Sequence, residues 1–107
     1  MRIDLPNGTR FGPGKAALLR ALHDVGSIKA AATQLEMSYP RALKLIDQMN
    51  ASFSAPLVVT QHGGAEGGGT QVTDLGQEVL KLYGAICDAS DAASTDKFQA
   101  LLKLIRD

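Results

Sequence analysis

The sequence predicts a mainly α-helical domain that carries one small β-hairpin. Its 107 residues suit a single compact domain, and 45% of them are hydrophobic but only 5% are aromatic, so aliphatic side chains have to form the core. Apolar residues recur at helical spacing in several segments, and two short β-branched segments enclose a glycine-rich stretch. The predicted order is three helices, a hairpin and two further helices.

The first predicted elements are an edge strand and a helix. Polar and apolar residues alternate over 2–5, which predicts a short strand, and Asn7-Gly8 predicts a turn after it. Gly12-Pro13-Gly14 opens the first helix, because proline at the first helical position loses no intrahelical hydrogen bond. Gly26 ends this helix. Its apolar stripe consists of Leu18, Leu19, Leu22 and Val25.

The second helix is short and leads directly into the third. Ser27 is its predicted N-cap. Ala31 and Ala32 lie in the middle of its apolar face, so another helix can approach closely there. Glu36-Met37 forms a very short connection, after which Ser38 is the predicted N-cap of the third helix.

The third helix has two distinct faces. Tyr39 and Pro40 occupy its first turn, where a proline costs little because the N–H has no intrahelical partner. Arg41, Lys44 and Gln48 share a face that is predicted to be exposed. The stripe predicted to be buried consists of Ala42, Leu45, Ile46, Met49 and Phe53.

A hairpin and two helices complete the chain. The β-branched segments 57–61 and 71–73 are predicted to form two strands on either side of the glycine-rich loop 63–69. Thr73 or Asp74 caps a fourth helix, and the small polar segment 90–95 predicts a linker before the last helix. The apolar stripes of these two helices are Leu75, Val79, Leu82 and Ile86, and Phe98, Leu101, Leu102 and Ile105.

Three helices followed by a two-stranded hairpin form the layout of a winged helix-turn-helix. In this fold the third helix presents its exposed face to the major groove of DNA. Arg41 can read guanine edges, Lys44 suits a phosphate, and the helix N-termini at Ser27 and Ser38 offer free N–H groups to phosphates. A plain helical bundle, with Arg41 and Lys44 on a solvated face, remains the alternative explanation of the same pattern.

The charge distribution bears on this alternative. The formal net charge is zero. Residues 1–62 hold seven Lys or Arg and four Asp or Glu, whereas residues 63–107 hold four and seven. A basic front half can present a cationic face to phosphates. The zero net charge, Pro40 and Glu66 also suit a winged-helix module that binds protein without DNA. A small-molecule effector site between the last two helices is a third hypothesis.

Several other functions are excluded by the sequence. No apolar run reaches the roughly 20 residues of a membrane span, and the N-terminus lacks a signal peptide pattern, so a cytoplasmic protein is predicted. The single Cys87 is predicted to be a buried structural thiol. His23 and His62 lie far apart, which predicts no metal site and no cofactor. The glycine loop lacks the lysine of a P-loop, and an enzyme is not expected.

An ordered set of short segments adds a resemblance. These segments are FGPGK at 11–15, GSIKAAA at 26–32, MSYPRA at 37–42, IDQMN at 46–50, PLV at 56–58, the glycine loop at 63–69 and VTDLG at 72–76. Together they resemble the N-terminal DNA-binding domain of ModE-type molybdate-responsive repressors over residues 3–85. LysR-type regulators share a looser version of the same helices.

The resemblance implies a homodimer that binds double-stranded DNA at an operator with two-fold symmetry, with residues 1–73 as DNA-binding domain and 74–107 as dimerisation helices. The DNA-binding residues expected are Ser27, Lys29, Ser38, Tyr39, Pro40, Arg41, Lys44, Gln48 and His62. The wing glycines are Gly63, Gly64, Gly67, Gly68 and Gly69. Independently of the resemblance, an apolar surface too large to leave in water favours a homodimer, and the dimerisation residues expected are Leu80, Tyr83, Cys87, Phe98, Leu101 and Ile105.

The sequence departs from the family pattern at informative positions. Pro40 stands where the family usually has lysine, and Leu43 stands where it usually has tryptophan. Glu66 occupies a wing position that is often basic. The chain ends at Asp107, which leaves no space for the family's molybdate-binding domains. We therefore expect a dimeric repressor that does not bind molybdate.

Overall fold

The computed structural model describes residues 2–60 and 69–104, apart from the side chains of residues 91–94 and 98. It is mainly helical and confirms the winged helix-turn-helix. The elements in chain order are β1 (Ile3–Asp4), β2 (Arg10–Phe11), α1 (Pro13–Val25), α2 (Ile28–Gln34), α3 (Tyr39–Ser52), β3 (Val58–Thr60), β4 (Thr70–Val72) and α4 (Asp74–Leu102).

The N-terminus forms a small hairpin. Strand β1 pairs antiparallel with β2, with Ile3 opposite Phe11 and Asp4 opposite Arg10. The predicted turn is present: the Asn7 side-chain oxygen accepts the Thr9 N–H at 3.1 Å, and Gly8 has a φ of +87°, which favours glycine. The sequence predicted β1 and the turn but not β2.

The helix boundaries of α1 to α3 follow the predicted caps. Gly26 ends α1 in the left-handed conformation, and its N–H donates to the Leu22 carbonyl at 2.9 Å. The Ser27 hydroxyl accepts the Ala30 N–H at 3.1 Å, and the Ser38 hydroxyl accepts the Arg41 N–H at 3.2 Å. These caps fix where α2 and α3 begin.

The core lies between α1, α2, α3 and the β3–β4 hairpin. Helix α1 is central to it, and Leu18 and Leu19 are fully buried. Ala31 is fully buried, which agrees with the close helix approach predicted there. Of the predicted α3 stripe, Leu45 and Phe53 are only half-buried. The remaining members, Ala42, Ile46 and Met49, are buried.

The β3–β4 hairpin pairs Val58 with Val72 and Thr60 with Thr70. It is tied to the turn between α1 and α2, because the Thr70 N–H donates to the Gly26 carbonyl at 3.0 Å. This hydrogen bond holds the base of the hairpin against the helix-turn-helix.

The C-terminal part of the fold corrects the prediction. Residues 90–95 were predicted to be a linker between two helices, but α4 runs continuously from Asp74 to Leu102. The segment contains no glycine or proline, and its alanines are strong helix formers. Residues 74–102 thus form one helix in place of the two predicted, and the third hypothesis, an effector site between those two helices, loses its structural basis. Cys87 is half-buried and not buried as predicted.

The start of α4 packs very tightly on the hairpin. Thr73 caps the helix by accepting the Gly76 N–H at 3.0 Å, and its own hydroxyl donates to the Pro56 carbonyl at 2.8 Å. A Cβ on Gly76 would lie 2.5 Å from the Leu57 carbonyl oxygen. Only glycine allows this approach without a shift of the backbone.

Candidate nucleic-acid interface

Helix α3 presents a continuous exposed face. Its buried side is fixed by Ala42, Ile46 and Met49, so the opposite side faces outward. Arg41 and Lys44 are exposed there, and Tyr39 is 49% exposed. The structure thereby brings together the predicted residues of the first two turns of α3. Ser38 and Pro40, both exposed, lie at the same end.

Two predicted residues lie at the start of α2. Ser27 is half-buried and acts as the N-cap, while Lys29 is exposed in the first turn. The Lys29 carbonyl accepts the Thr33 hydroxyl at 3.0 Å, while the Lys29 side chain is exposed. The starts of α2 and α3 each carry free backbone N–H groups that can donate to an anion.

The exposed face of α3 is not purely cationic. Asp47 is exposed one residue before Gln48, and Leu43 is 37% exposed. Asp47 reduces the positive charge that Lys44 and Arg41 present to a polyanion. The sequence analysis did not weigh this carboxylate, although its position three residues after Lys44 places both on one side of the helix.

Gln48 is half-buried and lies about one helical turn beyond Lys44, where it lines an open cleft of about 410 Å³. The cleft is also lined by Gly8, Thr9, Arg10 and Lys15. The Lys15 Nζ donates to the Arg10 carbonyl at 2.6 Å. Partial burial, together with the nearby Arg10 guanidinium, lowers the pKa of Lys15. Arg10 and Lys15 were not predicted as site residues, because only tertiary packing brings them close to α3.

His62, Gly63, Gly64, Gly67 and Gly68, together with Glu66, lie outside the described residues. Gly69 is exposed at the start of the second strand of the hairpin, beside the Gly26 carbonyl.

The predicted dimerisation residues divide into two groups. Leu80 and Tyr83 are half-buried against the core of the chain, and the centroids of the Tyr83 and Phe11 rings lie 5.1 Å apart in an edge-on arrangement. Partial burial and then a hydrogen bond with Cys87 raise the pKa of Tyr83. Leu101 is 57% exposed. The Phe98 side chain and Ile105 lie outside the described part of the chain.

An apolar groove runs beside α4, and the sequence analysis did not identify it. It has a volume of about 190 Å³, and Leu82 and Ile86 on its rim are 53% and 46% exposed. The rest of its lining is apolar or aromatic: Ile3, Leu5, Phe11, Phe53, Val79 and Tyr83. The helical stripe predicted Leu82 and Ile86 as apolar positions, but it did not show that they face outward.

Within residues 2–60 and 69–104, no group of three or more His, Cys, Asp or Glu side chains could hold a metal ion. None of the described helices is long and apolar enough to cross a bilayer.

Comparison with known proteins agrees with this geometry. The family model described as "Bacterial regulatory helix-turn-helix protein, lysR family" matches residues 15–77, from the start of α1 to the start of α4. The chain belongs to this family. The β1–β2 hairpin and most of the long helix of this lysR-family chain lie outside the match.

Individual relatives narrow the resemblance to ModE-like proteins. "Molybdenum transport protein ModE" of Azotobacter vinelandii is 41% identical over 86 residues, which is 80% of this chain and 32% of that protein. "Molybdenum-pterin-binding protein MopB" of Rhodobacter capsulatus is 38% identical over 91% of this chain and 36% of its own length. "Transcriptional regulator ModE" of Haemophilus influenzae is 32% identical over 78% of this chain and 32% of its own length. This lysR-family chain spans about a third of the length of these curated relatives.

A solved structure shares the fold. The CbnR_DBD–DNA complex superposes with a TM-score of 0.61 at 21% identity, covering 83% of this chain and 95% of that one. The similarity establishes the same winged-helix architecture for this lysR-family chain.

Proposed function

We propose that this chain binds double-stranded DNA as a transcription regulator and places the exposed face of α3 in the major groove. The observation that carries the proposal is the exposure of Arg41 and Lys44 at the start of a helix whose other side is anchored in the core. The major groove of B-DNA admits an α-helix, and recognition helices read bases with their N-terminal residues. Membership of a regulatory helix-turn-helix family supports the same function.

Each residue of this face has a proposed role. Arg41 forms two hydrogen bonds with a guanine edge, and Tyr39 and Pro40 contact neighbouring bases. Lys44 and Lys29 bind phosphates as point charges. The backbone N–H groups after Ser27 and Ser38 donate to phosphates on either side of the groove. His62 contacts a phosphate. The wing glycines lie by the DNA backbone or the minor groove, where the absence of side chains permits close approach.

The proposal includes a homodimer held together by α4 of two copies. Large apolar side chains are exposed along this single helix, and Leu82 and Ile86 border an apolar groove of the same subunit. Side chains of this kind favour burial in a second protein surface. The exposed set consists of Leu82, Ile86, Leu101 and Leu102 on the helix and Leu104 just beyond its end. Leu80, Tyr83 and Cys87 join the interface through their remaining exposed surface.

A two-fold dimer would place two copies of α3 in successive major grooves, about 34 Å apart, and so bind an operator with two-fold symmetry. Repression follows when such a dimer occupies a promoter and excludes the polymerase. The proposal assigns no molybdate site to the residues of this chain.

The decisive experiment is a fluorescence-anisotropy titration against random duplex DNA at several salt concentrations. Because phosphate contacts release counterions, a slope of several units in log affinity against log salt is expected. A flat response, or no binding at low salt, would contradict the proposal. A random duplex suffices, because the contacts with phosphates do not depend on sequence.

A second function is favoured by one observation. Tyr39 and Leu43 are partly exposed on α3 beside the carboxylate of Asp47, a mixture that also suits a protein surface. A winged-helix module that binds protein would give a flat salt response in the titration above. Immobilised wild-type chain would then retain a partner that Tyr39→Ala and Leu43→Ala release.

A further inference from the structure

A cationic surface lies at the N-terminal hairpin and the start of α1, at the N-terminal border of the part of the chain that matches the family model. It consists of Arg2, Arg10 and Lys15, with Asp4 as its one carboxylate, and is called the hairpin patch below. Asp4 Oδ1 lies 3.5 Å from the Arg2 Nε and 3.8 Å from the Arg10 Nε. These side chains are more than half exposed, so the two ion pairs are weak and leave the patch with net positive charge.

Lys15 has no such carboxylate partner. Within residues 2–60 and 69–104, no Asp or Glu oxygen lies within 4.0 Å of its ammonium group. Its Nζ is instead held on the Arg10 carbonyl at 2.6 Å, which brings a second cation close to the Arg10 guanidinium. Partial burial and then the charge of Arg10 lower the pKa of Lys15, as expected when two cations share one site. An anion bound there would relieve this repulsion.

The hairpin patch is fixed in position relative to α3. The Asn7 Nδ2 donates to the Ser52 carbonyl at 2.9 Å, which joins the hairpin turn to the last turn of α3. Gln48 lines the same cleft as Arg10 and Lys15. Lys44 precedes Gln48 by four residues, so the two lie on one side of the helix about 6 Å apart along its axis. The exposed cations of α3 therefore lead towards the hairpin patch.

We propose that the hairpin patch binds phosphates of the DNA backbone at the border of the groove that α3 enters. The inference rests on the proposed function and extends it from α3 to the N-terminal hairpin and the start of α1. The open cleft and the spread of its cations over two elements suit a strand of successive phosphates. Arg10 and Lys15 are the contacting charges, and Gln48 donates a neutral hydrogen bond between them and α3.

The test compares Arg10→Gln and Lys15→Gln with the wild-type chain in the anisotropy titration over a salt series. Lys97→Gln is the matched control, because Lys97 is exposed on α4 far along the chain from the patch. Each patch variant is expected to reduce the magnitude of the log–log slope by about one and to weaken binding roughly 3- to 10-fold near 0.1 M salt. The reduction should be equal for unrelated duplexes, and the control should change neither quantity.

A variant with the opposite effect separates charge from folding. Asp4→Asn removes the one carboxylate of the patch and is expected to tighten binding about 2- to 5-fold at low salt, an effect that misfolding cannot produce. The inference is overturned if Arg10→Gln and Lys15→Gln keep the wild-type slope while Lys44→Gln lowers it, and the proposed function then stands. If the wild-type chain shows no salt-dependent binding, both are overturned.

Discussion

Asn50 on α3 binds both backbone polar atoms of Val58 on β3. Its Oδ1 accepts the Val58 N–H at 3.1 Å, and its Nδ2 donates to the Val58 carbonyl at 3.0 Å. The same Oδ1 accepts the N–H of Leu57, a fully buried residue, at 2.8 Å. The Asn50 side chain thus joins α3 to β3 and restrains the orientation of the helix relative to the hairpin.

We expect Asn50→Ala to lower the free energy of unfolding by roughly 1–3 kcal/mol, because it leaves backbone groups beside the core without partners. Urea denaturation followed by circular dichroism measures this loss. Asn7→Ala is the matched control, since Asn7 also donates to a backbone carbonyl but at an exposed position. Its loss should stay below about 1 kcal/mol. Equal losses in both variants would contradict a structural role specific to Asn50.

Two glycines of α4 should respond in opposite directions to the same substitution. A Cβ on Gly76 would lie 2.5 Å from the Leu57 carbonyl oxygen and 2.7 Å from the Val72 Cγ1, so Gly76→Ala is expected to cost about 1–3 kcal/mol. A Cβ on Gly84 would meet no atom of the described residues within 4 Å. Because alanine favours helix over glycine, Gly84→Ala should stabilise by up to about 1 kcal/mol.

Thermal unfolding of the two variants side by side measures this difference. We expect the midpoint temperature of unfolding to be higher for Gly84→Ala than for the wild-type chain and lower for Gly76→Ala. If Gly76→Ala were as stable as the wild-type chain, the close approach of α4 to the hairpin would not contribute to the stability of the fold.

The features predictable from the sequence are local ones. Ser27, Ser38 and Thr73 cap their helices because a hydroxyl two or three residues before free N–H groups satisfies them in any tertiary context. The exposed Arg41 and Lys44 followed from the helical period of α3. Strand β2 was missed because a two-residue strand carries no pattern, and it forms only through pairing with β1.

The remaining features depend on packing between distant segments. The small polar residues of 90–95 gave the composition of a linker, yet they extend α4 as helix formers. Periodicity placed Leu82 and Leu80 on an apolar helix without showing that Leu82 is exposed and that Leu80 packs on the core. Arg10, Lys15 and Gln48 come from three elements, and only the fold brings them to one cleft.

The exposed apolar face of α4 predicts the dimer interface. Leu82→Glu and Ile86→Glu each place a charge at the rim of the apolar groove, and burial of a leucine or isoleucine contributes about 1.5–3 kcal/mol. The dimer dissociation constant is therefore expected to rise roughly 10- to 100-fold. Sedimentation velocity over a concentration series measures it.

Lys81→Glu is the matched control for the dimer variants. Lys81 is the neighbour of Leu82 in sequence but is exposed on a different side of α4, beside Arg20, His23 and Asp24. The Lys81→Glu substitution also introduces a carboxylate on α4, but outside the apolar groove, so it should leave the dimer intact. A wild-type chain that sediments as a monomer at all concentrations would refute the proposed dimer directly.

Arg41 and Lys44 are expected to affect DNA binding in different ways. The test uses an operator selected from a random duplex library. Arg41→Ala should weaken binding to this operator by roughly 1–3 kcal/mol and relax the preference for one base, because the contact with a guanine edge is lost. Lys44→Ala should weaken binding to all duplexes equally and reduce the magnitude of the log–log salt slope by about one.

Arg20→Ala separates these effects from a general loss of positive charge. Arg20 is exposed on α1 in a cleft shared with Tyr83 and Gly84 of α4, away from the exposed face of α3. Its removal should alter neither the base preference nor the slope beyond the small effect of net charge. If Arg41→Ala and Arg20→Ala bound the operator with the same affinity, the recognition face would have to be sought on another side of the domain.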